Sequence, residues 1–370
     1  MLFLVVRAMP KDAIVSSEDL ILVTGASGFI GTRVVARLLE RGFQRIRCFV
    51  KPTSDRSSLE KAVLHFGEAE RVEIINGNLL SRADCQSVAE NVALVYHLAA
   101  GTRTKAFSDA YLNSVVTTRN LMDAILGVKG FRRFVNVSSF ACYTNRHKRT
   151  GRLLDETCPL EENPGTRAEA YLFGKVKQDR IVLDYAQRYG LPYIILRPGV
   201  VYGPEKRTIT GRVGIDTFGI FLHLGGGNPI PFTFADNCAD AIVLAGLKPG
   251  IEGEVFNIVD DDLPSSRTFL RSFKRGVRQF PSIYVPHAIS YLFCYIWERY
   301  AARSHNQLPP VFSRREWSAF WKKTLYSNEK IKAHTGWNPQ VPTREAMKRF
   351  FEGCTKEAVV PNGSDLQDQS

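Results

Sequence analysis

Paired cysteines are missing from this chain. Its seven cysteines, Cys48, Cys85, Cys142, Cys158, Cys238, Cys294 and Cys354, are odd in number, and no two stand in a C-x-x-C pair. The pattern argues against a structural zinc and for a reducing compartment, so a cytoplasmic location is expected. Low-complexity runs are absent too, and charged residues make up an ordinary 23%. Acidic charge is in short supply: 37 Asp and Glu face 49 Lys and Arg, a net charge of +12. Such an excess favours anionic ligands, phosphate groups or an acidic membrane surface. The basic residues are scattered and no nucleic-acid motif accompanies them, which sets nucleic-acid binding aside. The opening apolar run, Leu2–Val6, is too short for a signal-peptide core or a membrane span. Residues 1–18 are expected to form a loose extension, with Met9 as an alternative start.

What the chain does have is apolar content and rhythm. Hydrophobic residues are 44% of 370, enough for a sizeable core in one large α/β domain or two smaller ones. From Leu20 onward, short apolar runs alternate with helical patterns: "LILVT", "RIRCFV", "VEIING", "ALVYHLAAG", "FRRFVNVSS" and "PYIILRP" read as strands. A long helix is expected from about Asp109 to Leu126, and another from near Ala168 to Tyr189. Strand runs of this kind look buried on both faces, and the alternation predicts a doubly wound parallel sheet. After Pro204 the rhythm breaks, and "GGGNPIPFTF" reads as a Gly/Pro-rich loop. The expected organisation is a Rossmann-type dinucleotide domain over 19–200, a smaller, mainly substrate-binding region over 201–358, and a disordered tail over 359–370. The second region is expected to send elements back to the sheet.

Between the first strand and the first helix stands "TGASGFIG", Thr24–Gly31. Gly25 permits a tight turn, Gly28 lets backbone N–H groups approach a pyrophosphate, and Gly31 lets the helix pack closely on the strand. The helix N-terminus then faces the anion with the positive end of its dipole. A glycine-rich turn without a ligand has the same letters; the strand before it and the βα repeats after it favour the phosphate cradle. At the end of the second strand, Lys51 stands where an NAD-binding carboxylate is usual. With Arg33 and Arg56 it suits a 2′-phosphate, which favours NADP; Asp55 further on keeps NAD open.

Tyr171 and Lys175 are one turn apart on one helical face. An ammonium near a phenol lowers its ordinary value of ~10, so that the tyrosine can exchange a proton with a carbinol or carbonyl oxygen near neutral pH. Tyr-x-x-x-Lys is a weak motif alone. Here it follows the glycines and a strand ending in Ser138 and Ser139, whose hydroxyls lie at the end of the sheet where ligands bind.

Taken together, "TGASGFIG", "NGNL", "HLAA", "NSVVTTRNLMDA", "VSS", "YLFGK", "LRPGVVYGP" and "SNEKIKAHTGWNP" run in order over nearly the whole chain. They resemble the extended short-chain dehydrogenase/reductase superfamily, which includes NAD(P)-dependent epimerases and dehydratases. The resemblance implies that Tyr171 is the acid/base, that Lys175 holds the nicotinamide ribose, and that Ser139, with Ser138 as the other candidate, binds the reacting oxygen. It implies that Asn113 steadies a proton relay. It also implies cofactor contacts from Ser27, Phe29 and Ile30 in the glycine turn, from Asn78 and Leu79 beside the adenine, and from Ala99, Ala100 and Pro198. Asn78 replaces the family's usual acid. Sugar-nucleotide members carry an Asn where Val200 stands and an Arg near Ile230. The stretch "GGGNPIPFTFADNCADAIVLA" is instead similar to 3β-hydroxysteroid and sterol-carboxylate dehydrogenases. The leading expectation is an NAD(P)-dependent oxidoreductase acting on an apolar, sterol- or isoprenoid-like alcohol or ketone. An NDP-sugar epimerase or dehydratase is the alternative, and a catalytically silent cofactor-binding sensor or scaffold is a third reading. The apolar segment 285–303 is expected to line the substrate pocket or rest on a membrane. A homodimer is compatible with all three readings.

Overall fold

The computed structural model describes residues 9–10, 12–67, 69–101, 106–144, 151–166, 169–206, 208–217, 219–303 and 313–355. The first half alternates as expected: β1 (Leu20–Thr24), α1 (Gly31–Glu40), β2 (Ile46–Val50), α2 (Ser57–Phe66), β3 (Val72–Asn76), α3 (Arg82–Ala89) and β4 (Val92–His97). Next come α4 (Phe107–Ala110), a stretch of π-helix (Tyr111–Val116), α5 (Thr117–Ile125), β5 (Arg133–Val137), β6 (Leu153–Leu154), α6 (Ala170–Tyr189) and β7 (Tyr193–Pro198). The remainder holds β8 (Val200–Tyr202), β9 (Gly214–Thr217), β10 (Ile220–His223), β11 (Phe232–Phe234), α7 (Ala235–Leu247), β12 (Val255–Ile258), α8 (Ser266–Gly276) and β13 (Ser282–Tyr284). It closes with α9 (His287–Arg303), α10 (Arg314–Phe320), β14 (Leu325–Tyr326), α11 (Glu329–Thr335) and α12 (Thr343–Thr355).

Seven parallel strands form one sheet in the order β12-β7-β5-β4-β1-β2-β3. The chain runs outward from β1 to β3 and then returns to the other side of β1 at β4. The strand order reverses there, and in open sheets of this kind ligands bind outside the carboxyl ends of the strands at such a point. Both strands are buried along their whole length, which explains their unbroken apolar runs. Helix α1 covers one face through Gly31, Val34, Val35, Leu38 and Leu39, the spacing of a single helical stripe. Helix α7 lies beside it and is buried nearly all round. Its C-terminal carbonyls are held by the buried Arg133 of β5, whose Nη1 donates to Ala245, Gly246 and Lys248 oxygens at 3.0, 3.2 and 2.6 Å. A helix end leaves its last four carbonyls without intrahelical partners, and here a cation from the sheet satisfies two of them, Ala245 O and Gly246 O.

Two expectations need correction. The extension read as loose over 1–18 is docked over its described part: Val15 is buried, Ile14 N donates to Leu247 O at 3.0 Å, and Asp12 pairs with Lys248 at 2.7 Å. The loop "GGGNPIPFTF" ends in a strand, because "FTF" pairs in parallel with β8 and buries all three residues. The second region sends β12 back past the boundary near residue 200, where it joins β7 as the edge of the main sheet. The tail 359–370 lies outside the described residues. Beyond the sheet, Tyr202, Val213, Phe221, Ile230, Phe232, Phe269 and Phe350 form a second, aromatic core.

Candidate active site

The phosphate cradle is built from backbone. Gly25 has φ +68°, and a Cβ there would stand 2.9 Å from Ala99 N. A Cβ on Gly31 would stand 2.1 Å from Gly25 O, so α1 sits directly on the turn. Gly28 N closes the turn onto Gly25 O at 3.0 Å. No side chain caps α1, and its first turn holds no acid. Thr32 N is taken by Gly28 O at 3.0 Å, the positive end of the helix dipole still faces the turn, and the cradle has no Cβ to obstruct an anion at Gly28. These features fit a dinucleotide pyrophosphate, with Ser27, Phe29 and Ile30 around the turn and Ala99 and Ala100 just beyond β4.

The adenosine end is less direct. Lys51 lies exposed after β2, and its Nζ donates to Asn113 Oδ1 at 2.7 Å. Arg33 does not reach toward Lys51; it pairs with Glu205 at 2.7 Å and Asp236 at 2.9 Å over the Phe29 ring. Arg56 pairs with Glu60 at 2.8 Å. Asp55 accepts from Ser57 N at 2.9 Å, a local hydrogen bond that holds its carboxyl below the usual range. Asn78 is exposed, with its Oδ1 taken by Leu80 N at 3.0 Å, whereas Leu79 is buried. Pro198 ends β7.

At the carboxyl end of β5 the two serines part. Ser138 is buried and turns to Cys142 Sγ at 3.3 Å. Ser139 Oγ accepts from Ala141 N at 3.1 Å, so its own proton is free to be donated, and it stabilises the ionised form of the Tyr171 phenol. Burial outweighs that help and pushes the Tyr171 phenol up to about 12. The expected lowering by Lys175 is absent, because the lysine points elsewhere. Its Nζ donates to Val137 O at 2.6 Å and to Gln178 Oε1 at 2.9 Å. Burial brings Lys175 down to about 8, against the pull of the Asp179 carboxylate, which favours the ammonium.

From Lys175 a buried chain of hydrogen bonds crosses the switch point. Gln178 Nε2 donates to Thr118 Oγ1 at 2.9 Å, and Thr118 donates its one proton to Ser114 O at 2.6 Å. His97 Nε2 lies 2.9 Å from Thr118 Oγ1, and His97 Nδ1 lies 2.8 Å from Thr24 Oγ1. Because the Thr118 proton is already committed, His97 must carry its proton on Nε2 and accept from Thr24 on Nδ1. Burial and the Lys175 charge bring His97 down to about 3, so it stays neutral. Thr24 and His97 are register partners at the ends of β1 and β4. The chain therefore ties the lysine to the first residue of the glycine turn. Asn113, expected in the relay, instead serves Lys51 and donates to Asp109 O at 2.9 Å. The buried hydrogen-bond chain beside the lysine runs through Gln178, Thr118 and His97, which sequence reasoning missed. The His in "HLAA" and the Gln three residues after Lys175 were the available signals.

Gln178→Leu removes the one side-chain acceptor that the Lys175 ammonium has among the described residues. A hydrogen bond to a charged group is worth ~1.5–3 kcal/mol, or about one to two pH units. The alkaline limb of the kcat–pH profile is expected to move down by that amount, while Gln178→Glu keeps the limb at or above its original pH. An unmoved limb in Gln178→Leu assigns Gln178 to packing alone.

A phosphate cradle at the switch point of a parallel sheet, with serine, tyrosine and lysine at the strand ends beside it, is the arrangement of a dinucleotide-dependent enzyme of the extended short-chain dehydrogenase type. The chain belongs to the NAD dependent epimerase/dehydratase family, whose sequence model matches residues 21–258. It is 28% identical over 251 residues to an uncharacterized UDP-glucose epimerase of Bacillus subtilis, covering 64% of this chain and 76% of that one. It is 22% identical over 344 residues to the decarboxylating sterol-4-alpha-carboxylate 3-dehydrogenase of Mus musculus, covering 89% of each. Some longer curated relatives are matched over only 36% of their length. Among solved structures, UDP-glucuronic acid 4-epimerase from Bacillus cereus, in complex with UDP-glucuronic acid and NAD, has the same fold. The TM-score is 0.67 at 20% identity, with 90% of this chain and 98% of that one covered.

Proposed function

We propose that this chain is an NAD(P)-dependent oxidoreductase that interconverts a secondary alcohol and a ketone on an apolar, sterol- or isoprenoid-like substrate. One observation carries the choice of substrate. Ile230, near the position where sugar-nucleotide members place an arginine, is buried in the aromatic core with Tyr202 and Phe232, and Val200 packs against the same cluster. Neither position offers a donor to a substrate diphosphate, and burying one without donors is costly. The match to the sterol dehydrogenase supports the same reading, because it runs through the C-terminal region where substrate residues are expected.

The nicotinamide, when bound, supplies or accepts the hydride at the carbinol carbon. In the reducing direction Tyr171, neutral because burial holds its phenol high, gives its proton to the carbonyl oxygen. Ser139 donates to the same oxygen, its Oγ steadied by Ala141 N. The Lys175 ammonium, with two protons fixed by Val137 O and Gln178, keeps its third for the cofactor ribose. In the oxidising direction the same groups run in reverse.

NADP is the favoured cofactor in this reading, through Lys51. Release of Lys51 from Asn113 frees an ammonium for a 2′-phosphate. Lys51→Ala is expected to weaken NADP binding about tenfold, the size of one exposed charge-assisted contact, and to leave NAD within about twofold. Equal NADP affinities for the two proteins, measured by fluorescence titration, would remove Lys51 from the cofactor site. Sugar-nucleotide epimerisation is the second reading, favoured by the Bacillus relatives. Of the basic groups near the "YGP" turn, Arg212 is already engaged with Ala319 O at 3.1 Å and Tyr326 Oη at 3.2 Å. Arg207 lies outside the described residues. Mass spectrometry of ligand that co-purifies with the protein tests the substrate class: a sterol or isoprenoid supports it, and a sugar nucleotide overturns it. Peripheral membrane contact through residues 285–303 goes with a substrate of this polarity.

A further inference from the structure

Helix α9 is built inside out for water. The residues it buries are small: Ser290, Cys294 and Ala301. Ile289, Leu292, Phe293, Ile296 and Tyr300, spaced along one face, are each more than half exposed. Ile283 and Tyr284 of the preceding strand β13 are exposed as well. An unbroken apolar stripe of this length marks an interaction surface.

Its charge says what it meets. No Asp or Glu occurs between Asp262 and Glu298. Helix α8 buries Phe269, Leu270 and Phe273 and exposes Arg267, Arg271 and Arg275 on its other side, with Arg278 beyond its end. None of these four forms an ion pair among the described residues. Together with Lys274 of α8, His223 of β10 and Ser282 of β13, three of them line an open cleft of about 410 Å³. The guanidinium of Arg267 lies 5.3 Å from the centre of the exposed Tyr284 ring, which joins the basic face to the strand leading into α9. Arg299 and Arg303 are exposed along α9 itself, whereas Glu298 is turned away onto Arg314 at 2.6 Å.

We propose that α9, β13 and the basic side of α8 form one docking surface for an anionic phospholipid bilayer, with the α9 stripe entering the acyl boundary and the arginines meeting headgroup phosphates. This deepens the membrane contact read in residues 285–303 by adding a second element and a lipid charge. A second copy of the chain is the poorer partner, because a shared interface would bring the same arginines together with no carboxylate between them. An acidic membrane surface supplies the opposite charge and an apolar layer in one partner. Among the described residues no helix is long and apolar enough to cross a membrane, so the contact lies at the surface.

Co-sedimentation of the full chain with phosphatidylcholine vesicles, with and without phosphatidylserine, tests this. Wild-type protein is expected to partition at least about tenfold more strongly onto the phosphatidylserine vesicles, and less strongly as salt is raised. The Phe293→Ser/Ile296→Ser pair should lose about tenfold or more on them. The Arg271→Glu/Arg275→Glu pair should lose the preference for phosphatidylserine. All four positions are at the surface, and circular dichroism verifies that each variant is folded. The proposal is overturned if wild type ignores phosphatidylserine, or if either pair binds as wild type does. It is also overturned if light scattering finds a wild-type dimer that Phe293→Ser/Ile296→Ser makes monomeric. Vesicle binding needs no turnover, so a wrong substrate assignment leaves these outcomes unchanged.

Discussion

Replacing Tyr171 by Phe is expected to lower kcat about 10²–10⁴-fold, the range for losing a general acid/base, while cofactor affinity stays within a few-fold. The substitution keeps the ring and removes the one proton that this site can deliver. Ser139 cannot replace it: its hydroxyl is an ordinary alcohol held by Ala141 N, and Ser138 is turned away to Cys142. Lys175 cannot replace it either, because its Nζ is held by Val137 O and Gln178 Oε1. Rapid-quench measurement of a single turnover, with cofactor binding followed separately, checks both halves of the expectation. A Tyr171→Phe enzyme within a few-fold of wild type would mean that the proton comes from another group.

The second large effect falls on stability. Asp179 of α6 is fully buried and pairs with the buried Arg197 of β7, whose Nη2 and Nε stand 3.1 and 3.2 Å from Oδ2. Asn136 of β5 donates to the other carboxylate oxygen at 2.9 Å, and the Arg197 guanidinium lies 4.8 Å from the Tyr143 ring centre. Arg197→Met leaves the carboxylate with a single neutral donor. Breaking a buried pair on one side costs ~3–5 kcal/mol, because the remaining charge has lost its partner. Urea unfolding is expected to show that loss. The double variant Asp179→Leu/Arg197→Met should recover most of it, since the stranded charge is gone. A single-variant loss under about 1 kcal/mol would place the pair among weak surface-like ion pairs. Because the Asp179 charge also favours the Lys175 ammonium, Asp179→Asn lowers the lysine further and weakens activity at neutral pH.

Much of the site was legible because it is local. The three glycines act within one turn, Tyr171 and Lys175 lie one helical turn apart, and Ser139 stands two residues beyond β5, the strand that its apolar run marks. What escaped is set by strand order. Thr24, His97 and Thr118 are far apart in sequence and meet because β4 returns to pair with β1. No local pattern states that Lys175 spends its protons on Val137 O and Gln178, so the lowered phenol inferred from spacing alone was not found. The same holds for Arg133, which reads as a strand residue and serves as the clamp on the end of α7. The short strands β9, β10 and β11 were missed because their pairing partners and the aromatic core behind them, not their own propensity, make them strands. In α9 the apolar letters were plain, but helical periodicity does not say which face is outward. Here the small residues face in and the large ones face water.

The central claim is net oxidation or reduction of an apolar alcohol or ketone. The most direct measurement is the absorbance of free nicotinamide cofactor, with NAD and NADP each supplied, in the presence of hydroxysteroids, isoprenoid alcohols, or UDP-, GDP- and dTDP-sugars. Steady formation of reduced cofactor on one of the alcohols, abolished by Tyr171→Phe, with no conversion of any sugar nucleotide, is the predicted result. Conversion of a sugar nucleotide at an enzymatic rate, with no net change in free cofactor and no activity on the alcohols, would contradict the account.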